Sequence, residues 1–118
     1  MKRSGKQTTF GRGAHHRSAL LKNLLSSLLE HGSITTTLPK ARLLRTRAEG
    51  LLTQAKRELS LHTRRELLRQ LGHARELDWL TEAAKKQPAG KAGVRLTKLA
   101  KRRGDDAVLV KIDLLTYD

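Results

Sequence analysis

Leucines spaced by four open the pattern. Between Ala14 and His31 the apolar residues Ala19, Leu20, Leu21, Leu24, Leu25, Leu28 and Leu29 make two ladders, 20/24/28 and 21/25/29. At the helical period these merge into one broad stripe, leaving Lys22, Asn23, Ser26, Ser27 and Glu30 off it. The spacing predicts a helix over 14–31 that serves as core scaffold, with Gly32 as its C-terminal cap. Then comes Ser33-Ile34-Thr35-Thr36-Thr37-Leu38, whose run of β-branched residues favours a strand. Pro39 suits the first turn of a new helix, with Thr37 or Leu38 at the cap.

That second helix is expected to reach about Arg57, with Ala41, Leu44, Ala48, Leu51, Leu52 and Ala55 on its apolar face. Gly50 inside it costs some helix propensity. A third helix is expected from a Ser60 cap to Leu71, stopped by Gly72. Leu61, Leu68 and Leu71 share a face there, with Leu67 alongside, while Arg64, Arg65 and Arg69 lie elsewhere. A fourth, over about 74–86, uses Leu77, Leu80 and Ala84, with Trp79 undecided between core and surface. Lys85 and Lys86 then fall at its C-terminus, where the dipole favours them. Gln87-Pro88-Ala89-Gly90-Lys91-Ala92-Gly93 reads as a loop. Val94 to Ala100 reads as a strand of imperfect alternation, and Lys101 to Asp106 as a turn. Val108, Val110, Ile112 and Leu114 alternate with Leu109, Lys111 and Asp113, a strand expected to close an antiparallel hairpin. The order is α-β-α-α-α-β-β, an α+β chain.

Composition then narrows the function. A chain of 118 residues is one domain. Its 29 Leu, Ile, Val and Phe residues are about a quarter of the chain, above the level where disorder is the default. With no cysteine, disulfides, thiolate zinc sites and cysteine nucleophiles drop out. No apolar run approaches the roughly 18 residues of a membrane span, and no apolar stretch follows Met1-Lys2-Arg3-Ser4-Gly5-Lys6 as a secretory signal requires. Against this, 25 Lys and Arg face 11 Asp and Glu, a net charge of +14 and a pI near 11.2. Such a surface attracts polyanions. Phe10, Trp79 and Tyr117 are the only aromatic rings, too few for stacking single-stranded bases. Structured nucleic acid, held through backbone and shape, is the expected partner. Arginine outnumbers lysine, 14 to 11, which suits bidentate phosphate contacts.

The charge is unevenly placed. No acid precedes Glu30, and residues 1–14 combine Lys2, Arg3, Lys6 and Arg12 with three glycines and no apolar period. They are read as an extended basic arm, disordered alone and ordered on a partner, leading into a single globular domain over 15–118. His15, His16, Arg17 and Lys22 continue the basic stretch. The adjacent histidines lack a third metal partner; they fit phosphate contacts, or are two solvated helix-start side chains. Lys40, Arg42 and Arg45 sit in or near the first turn after Pro39, where free N–H groups bind phosphate and where cations alone oppose the dipole. Arg64 and Arg65 add an off-core pair, and Arg102 and Arg103 stand at the expected hairpin tip. No catalytic, metal or cofactor constellation is evident, and no small-molecule substrate is expected. Asp105-Asp106 is an adjacent pair in a turn, more simply turn chemistry than a metal site.

One run goes further. Thr36-Thr37-Leu38-Pro39-Lys40-Ala41-Arg42 resembles the T-T-x-P-K-A-K/R motif of the bacterial large-subunit ribosomal protein seventeen family. Phe10-Gly11-Arg12 with His16-Arg17, Ala55-Lys56-Arg57 with His62-Thr63-Arg64-Arg65, and Arg102-Arg103-Gly104-Asp105 before the last strand resemble its flanking segments, so the likeness covers nearly the whole chain. The chain departs from the family pattern at Gln7-Thr8-Thr9, Leu43, Ala92-Gly93-Val94-Arg95 and Val108. The resemblance implies a two-layer fold in the order read above. It implies a cytoplasmic, ribosome-bound structural protein that holds large-subunit rRNA near the outer end of the peptide exit tunnel, touching neighbouring ribosomal proteins. Arg12, His16, Arg17, Pro39, Lys40, Arg45 and Arg103 are the positions it carries over. A free nucleic-acid-binding regulator or architectural protein is the alternative; a membrane-surface protein is a further one, disfavoured because the polar face of 14–31 has only one Lys and includes Glu30.

Overall fold

Seven elements follow one another in the computed structural model, which describes residues 14–57, 60–88 and 90–116, with side chains from Arg17 onward. Helix α1 (Ala14–His31) ends at Gly32, whose φ of +79° and N–H bond to the Leu28 carbonyl close the last turn. Strand β1 (Ser33–Thr37) leads directly into α2 (Leu38–Lys56), with Thr37 at the extended cap position and Pro39 in the first turn. Ser60 caps α3 (Leu61–Leu71) by accepting from the Thr63 N–H at 3.2 Å, and Gly72 ends it with φ +98°. Helix α4 (Ala74–Lys85) follows, then β2 (Val94–Lys101) and β3 (Val108–Leu114). The α+β class and the element order match those read from the sequence. The arm read over 1–14 lies outside the described residues except for Ala14, which already belongs to α1.

The strands form one antiparallel sheet in the order β1-β3-β2. The last strand therefore takes the centre, pairing Ile34 with Ile112 on one side and Leu96 with Ile112 on the other. Because side chains alternate, this register gathers Ile34, Val94, Leu96, Val110, Ile112 and Leu114 on one face. Thr35, Arg95, Thr97, Lys111 and Asp113 share the opposite face. Helix α2 packs on β2 and β3 and α1 packs on β1, while α4 packs on α1, α2 and α3. Leu28, Leu44, Leu51, Leu52, Leu67, Leu71 and Leu80 are fully buried with Val110 and Ile112. Each such side chain contributes roughly 1.5–3 kcal/mol of burial.

Helix α3 departs from expectation. Its buried leucines are Leu67 and Leu71, whereas Leu61 is 63% exposed and Leu68 38%. Neighbouring stripes at the helical period differ only in angle, and the positions of the packed helices decide which one is covered. Trp79 is half-buried against the core, with the Arg75 guanidinium 5.8 Å from its ring centre. Glu76, in the first turn of α4, is buried; the helix dipole there favours a carboxylate.

The 87–93 loop is pinned to both layers. Buried Gln87 donates through Nε2 to the carbonyls of Gly93 (3.1 Å) and Leu115 (2.7 Å). The Gly93 N–H donates to Glu49 Oε1 on α2 at 3.0 Å, and Lys56 Nζ reaches the Lys91 carbonyl at 3.4 Å.

Candidate nucleic-acid interface

The β1–α2 junction is built as the sequence predicts. The chain enters α2 extended at Thr37, and the Thr37 side chain makes no capping bond, so it leaves the first N–H groups of the helix to other partners. No acid occupies that first turn. Lys40 is half-buried, Arg42 is exposed, and neither forms an ion pair among the described residues. Uncapped N–H groups, a helix dipole and adjacent cations together suit a phosphate.

Arg45 stands differently. Its Nε donates to Glu49 Oε2 at 3.3 Å, one turn along α2. Glu49 uses its other oxygen on the Gly93 N–H, so this carboxylate joins Arg45 to the pinned loop. Part of the charge expected of Arg45 is thus already matched within the chain. The Arg45–Glu49 spacing of four was readable in the sequence as a helical ion pair.

The hairpin tip divides its two arginines. Arg102 donates from Nε (3.2 Å) and Nη2 (2.6 Å) to the two oxygens of Asp105, a bidentate fork. Asp105 also accepts from the Ala107 N–H at 3.2 Å, and Gly104 and Asp106 both take positive φ to make the turn. The hydrogen bond from Arg102, assisted by that from Ala107, lowers the Asp105 carboxyl from its ordinary 3.8 to about 2. Asp105 therefore does turn chemistry. Arg103 is exposed beside it and has no ion pair among the described residues.

On the helical layer, Arg64 and Arg65 are exposed on α3. Arg17 is half-buried and Lys22 exposed on α1. Lys22 lines one cleft with Arg47 of α2 and Arg69 of α3, two residues that the sequence pattern did not single out. Their positions in the chain are far apart, so no local signal marks them. The backbone of His15 and His16 belongs to the first turn of α1, while their side chains, and Lys2, Arg3, Lys6 and Arg12 altogether, lie outside the described residues.

Among the described residues no three His, Asp or Glu side chains gather as a metal site, and no helix is long and apolar enough to cross a membrane. A small α+β domain carrying exposed cations that form no ion pair among the described residues defines a strongly basic protein, a class whose surface attracts polyanions. The family model described as Ribosomal protein L17 matches residues 20–115. The chain is 38% identical over 120 aligned residues to the Large ribosomal subunit protein bL17 of Salinibacter ruber, and 37% over 120 to that of Mesorhizobium japonicum. Both alignments cover 100% of this chain; it spans 60% of the length of the first relative and 83% of the second. The chain belongs to the ribosomal protein L17 family, a family of ribosomal proteins and not of enzymes.

Proposed function

We propose that the chain is a structural constituent of the large ribosomal subunit. It binds folded large-subunit rRNA through backbone phosphates and works in the cytoplasm as part of the ribosome. Its expected place, near the outer end of the peptide exit tunnel beside other ribosomal proteins, follows from the family resemblance. The observation that carries this reading is the full-chain similarity to large-subunit proteins together with the excess of 25 cations over 11 acids. The contacts proposed are the arm with Lys2, Arg3, Lys6 and Arg12; the start of α1 with His15, His16, Arg17 and Lys22; the α2 start with Lys40, Arg42 and Arg45; Arg64 and Arg65; and the hairpin tip with Arg102 and Arg103. Cations of this kind neutralise phosphates and let RNA segments pack closely; they read little sequence. Arg45 and Arg102, each matched by a carboxylate, contribute less than their neighbours.

Sedimentation of native cell lysate through a sucrose gradient, followed by a high-salt wash, tests this. Travel with the large subunit at near one copy, resisting the wash, is expected. A protein left at the top of the gradient refutes it and favours the free nucleic-acid-binding alternative. Replacing Lys40, Arg42 and Arg45 together by Ala flattens the salt dependence of RNA binding by less than three charges' worth. An unchanged slope removes that patch from the interface.

A further inference from the structure

Building on the rRNA-binding reading, we propose that the cleft between α1, α2 and α3 seats one backbone segment of rRNA, gripped at its phosphates by Lys22, Arg47 and Arg69. Three helices each supply one cation to a cleft of about 200 Å3, with Ser18 and Gln70 beside them and core Leu25 among its walls. All three cations are exposed. Lys22 and Arg47 form no ion pair among the described residues, and Arg69 pairs only with Glu66, one turn before it on α3. One acid against three cations leaves the cleft positive. Gathering like charges is unfavourable, and a bound anion removes that cost.

The chemistry favours RNA over other anions. Consecutive phosphates of one strand can engage cations on different walls at once, and guanidinium forks take phosphate oxygens two at a time. A single side-chain carboxylate engages one fork only. The Ser18 hydroxyl and Gln70 amide are neutral groups suited to a ribose 2′-hydroxyl, which DNA lacks.

The test is binding of the full chain to transcribed large-subunit rRNA over a range of potassium chloride concentrations. The double variant Lys22→Gln/Arg47→Gln is expected to lower the slope of log K against log[salt] by about 1.4–1.8, the value for two phosphate contacts. Lys22→Gln alone, at an exposed position, gives about half of that and guards against a folding defect in the double variant. Lys85→Gln/Lys86→Gln, at the far end of α4, leaves the slope unchanged. An unchanged slope in the cleft variants, with wild-type binding intact, overturns the cleft and leaves the rRNA reading standing. Absence of rRNA binding by the wild type overturns that reading itself. An unchanged rRNA slope together with lost binding of a polyglutamate peptide gives the cleft to an acidic protein segment and overturns the proposal.

Discussion

Replacing Gly93 by Ala tests how tightly the 87–93 loop is built into the core. A Cβ at that position lies 2.6 Å from Leu52 Cδ1 and 2.9 Å from Gln87 Oε1, where ordinary contacts lie near 3.5–4.0 Å. Neither neighbour is free to yield. Leu52 is 1% exposed inside the core, and Gln87 is held by its two Nε2 bonds to Gly93 and Leu115. Overpacking of this kind costs about 1–3 kcal/mol. Displacing Gln87 weakens its bonds by about 1 kcal/mol more. The lost freedom of the unfolded chain returns about 0.4–1 kcal/mol, since Gly93 does not need a positive φ. The net expectation is destabilisation by about 2 kcal/mol, a fall in Tm of about 8 °C. The assay is urea and thermal unfolding of RNA-free protein followed by circular dichroism, because bound RNA stabilises the folded state by mass action. A Tm within about 2 °C of wild type, with an unchanged m-value, refutes the close-packing account.

Gly50 provides the opposite sign by the same swap. It is exposed inside α2 with open space where a Cβ would stand, so Gly50→Ala is expected to stabilise by about 0.5–1 kcal/mol; a lowered Tm contradicts this. The hairpin tip responds to acid. Because the Asp105 carboxyl is lowered in the folded state, its contribution to tip stability is complete above its ordinary 3.8 and is lost as pH falls from there through about 2. Carboxyl titration by NMR is expected to show a midpoint near 2 that returns toward 3.8 in Arg102→Gln; a midpoint already at 3.8 in the wild type rules out the fork in solution.

Where the helices and strands begin and end was legible because capping and turn residues stand at the junctions. Ser60, Gly32, Gly72 and Pro39 all act as their chemistry predicts. The alternation of β3 was legible for the same local reason, though its central place in the sheet was not. That place depends on β1 pairing with it, a contact between residues 72 to 80 positions apart in the chain. Which leucines of α3 are buried was only partly legible, for a similar cause. Leu61 and Leu68 are as apolar as Leu67 and Leu71, and only the neighbouring helices distinguish them.

The site divides along the same line. The sequence by itself determined that the protein is strongly basic, that Lys40 and Arg42 stand at a helix start, and that Arg103 stands at a turn, since each follows from residue type and short-range order. Only the tertiary structure decided which groups distant in the chain meet. It joined Glu49, the partner of Arg45, to Gly93, and it brought Lys22, Arg47 and Arg69 from three helices to one cleft. The physical reason is range: capping and periodicity act over a few residues of chain, whereas electrostatic matching acts over ångströms of space, and packing sets those distances.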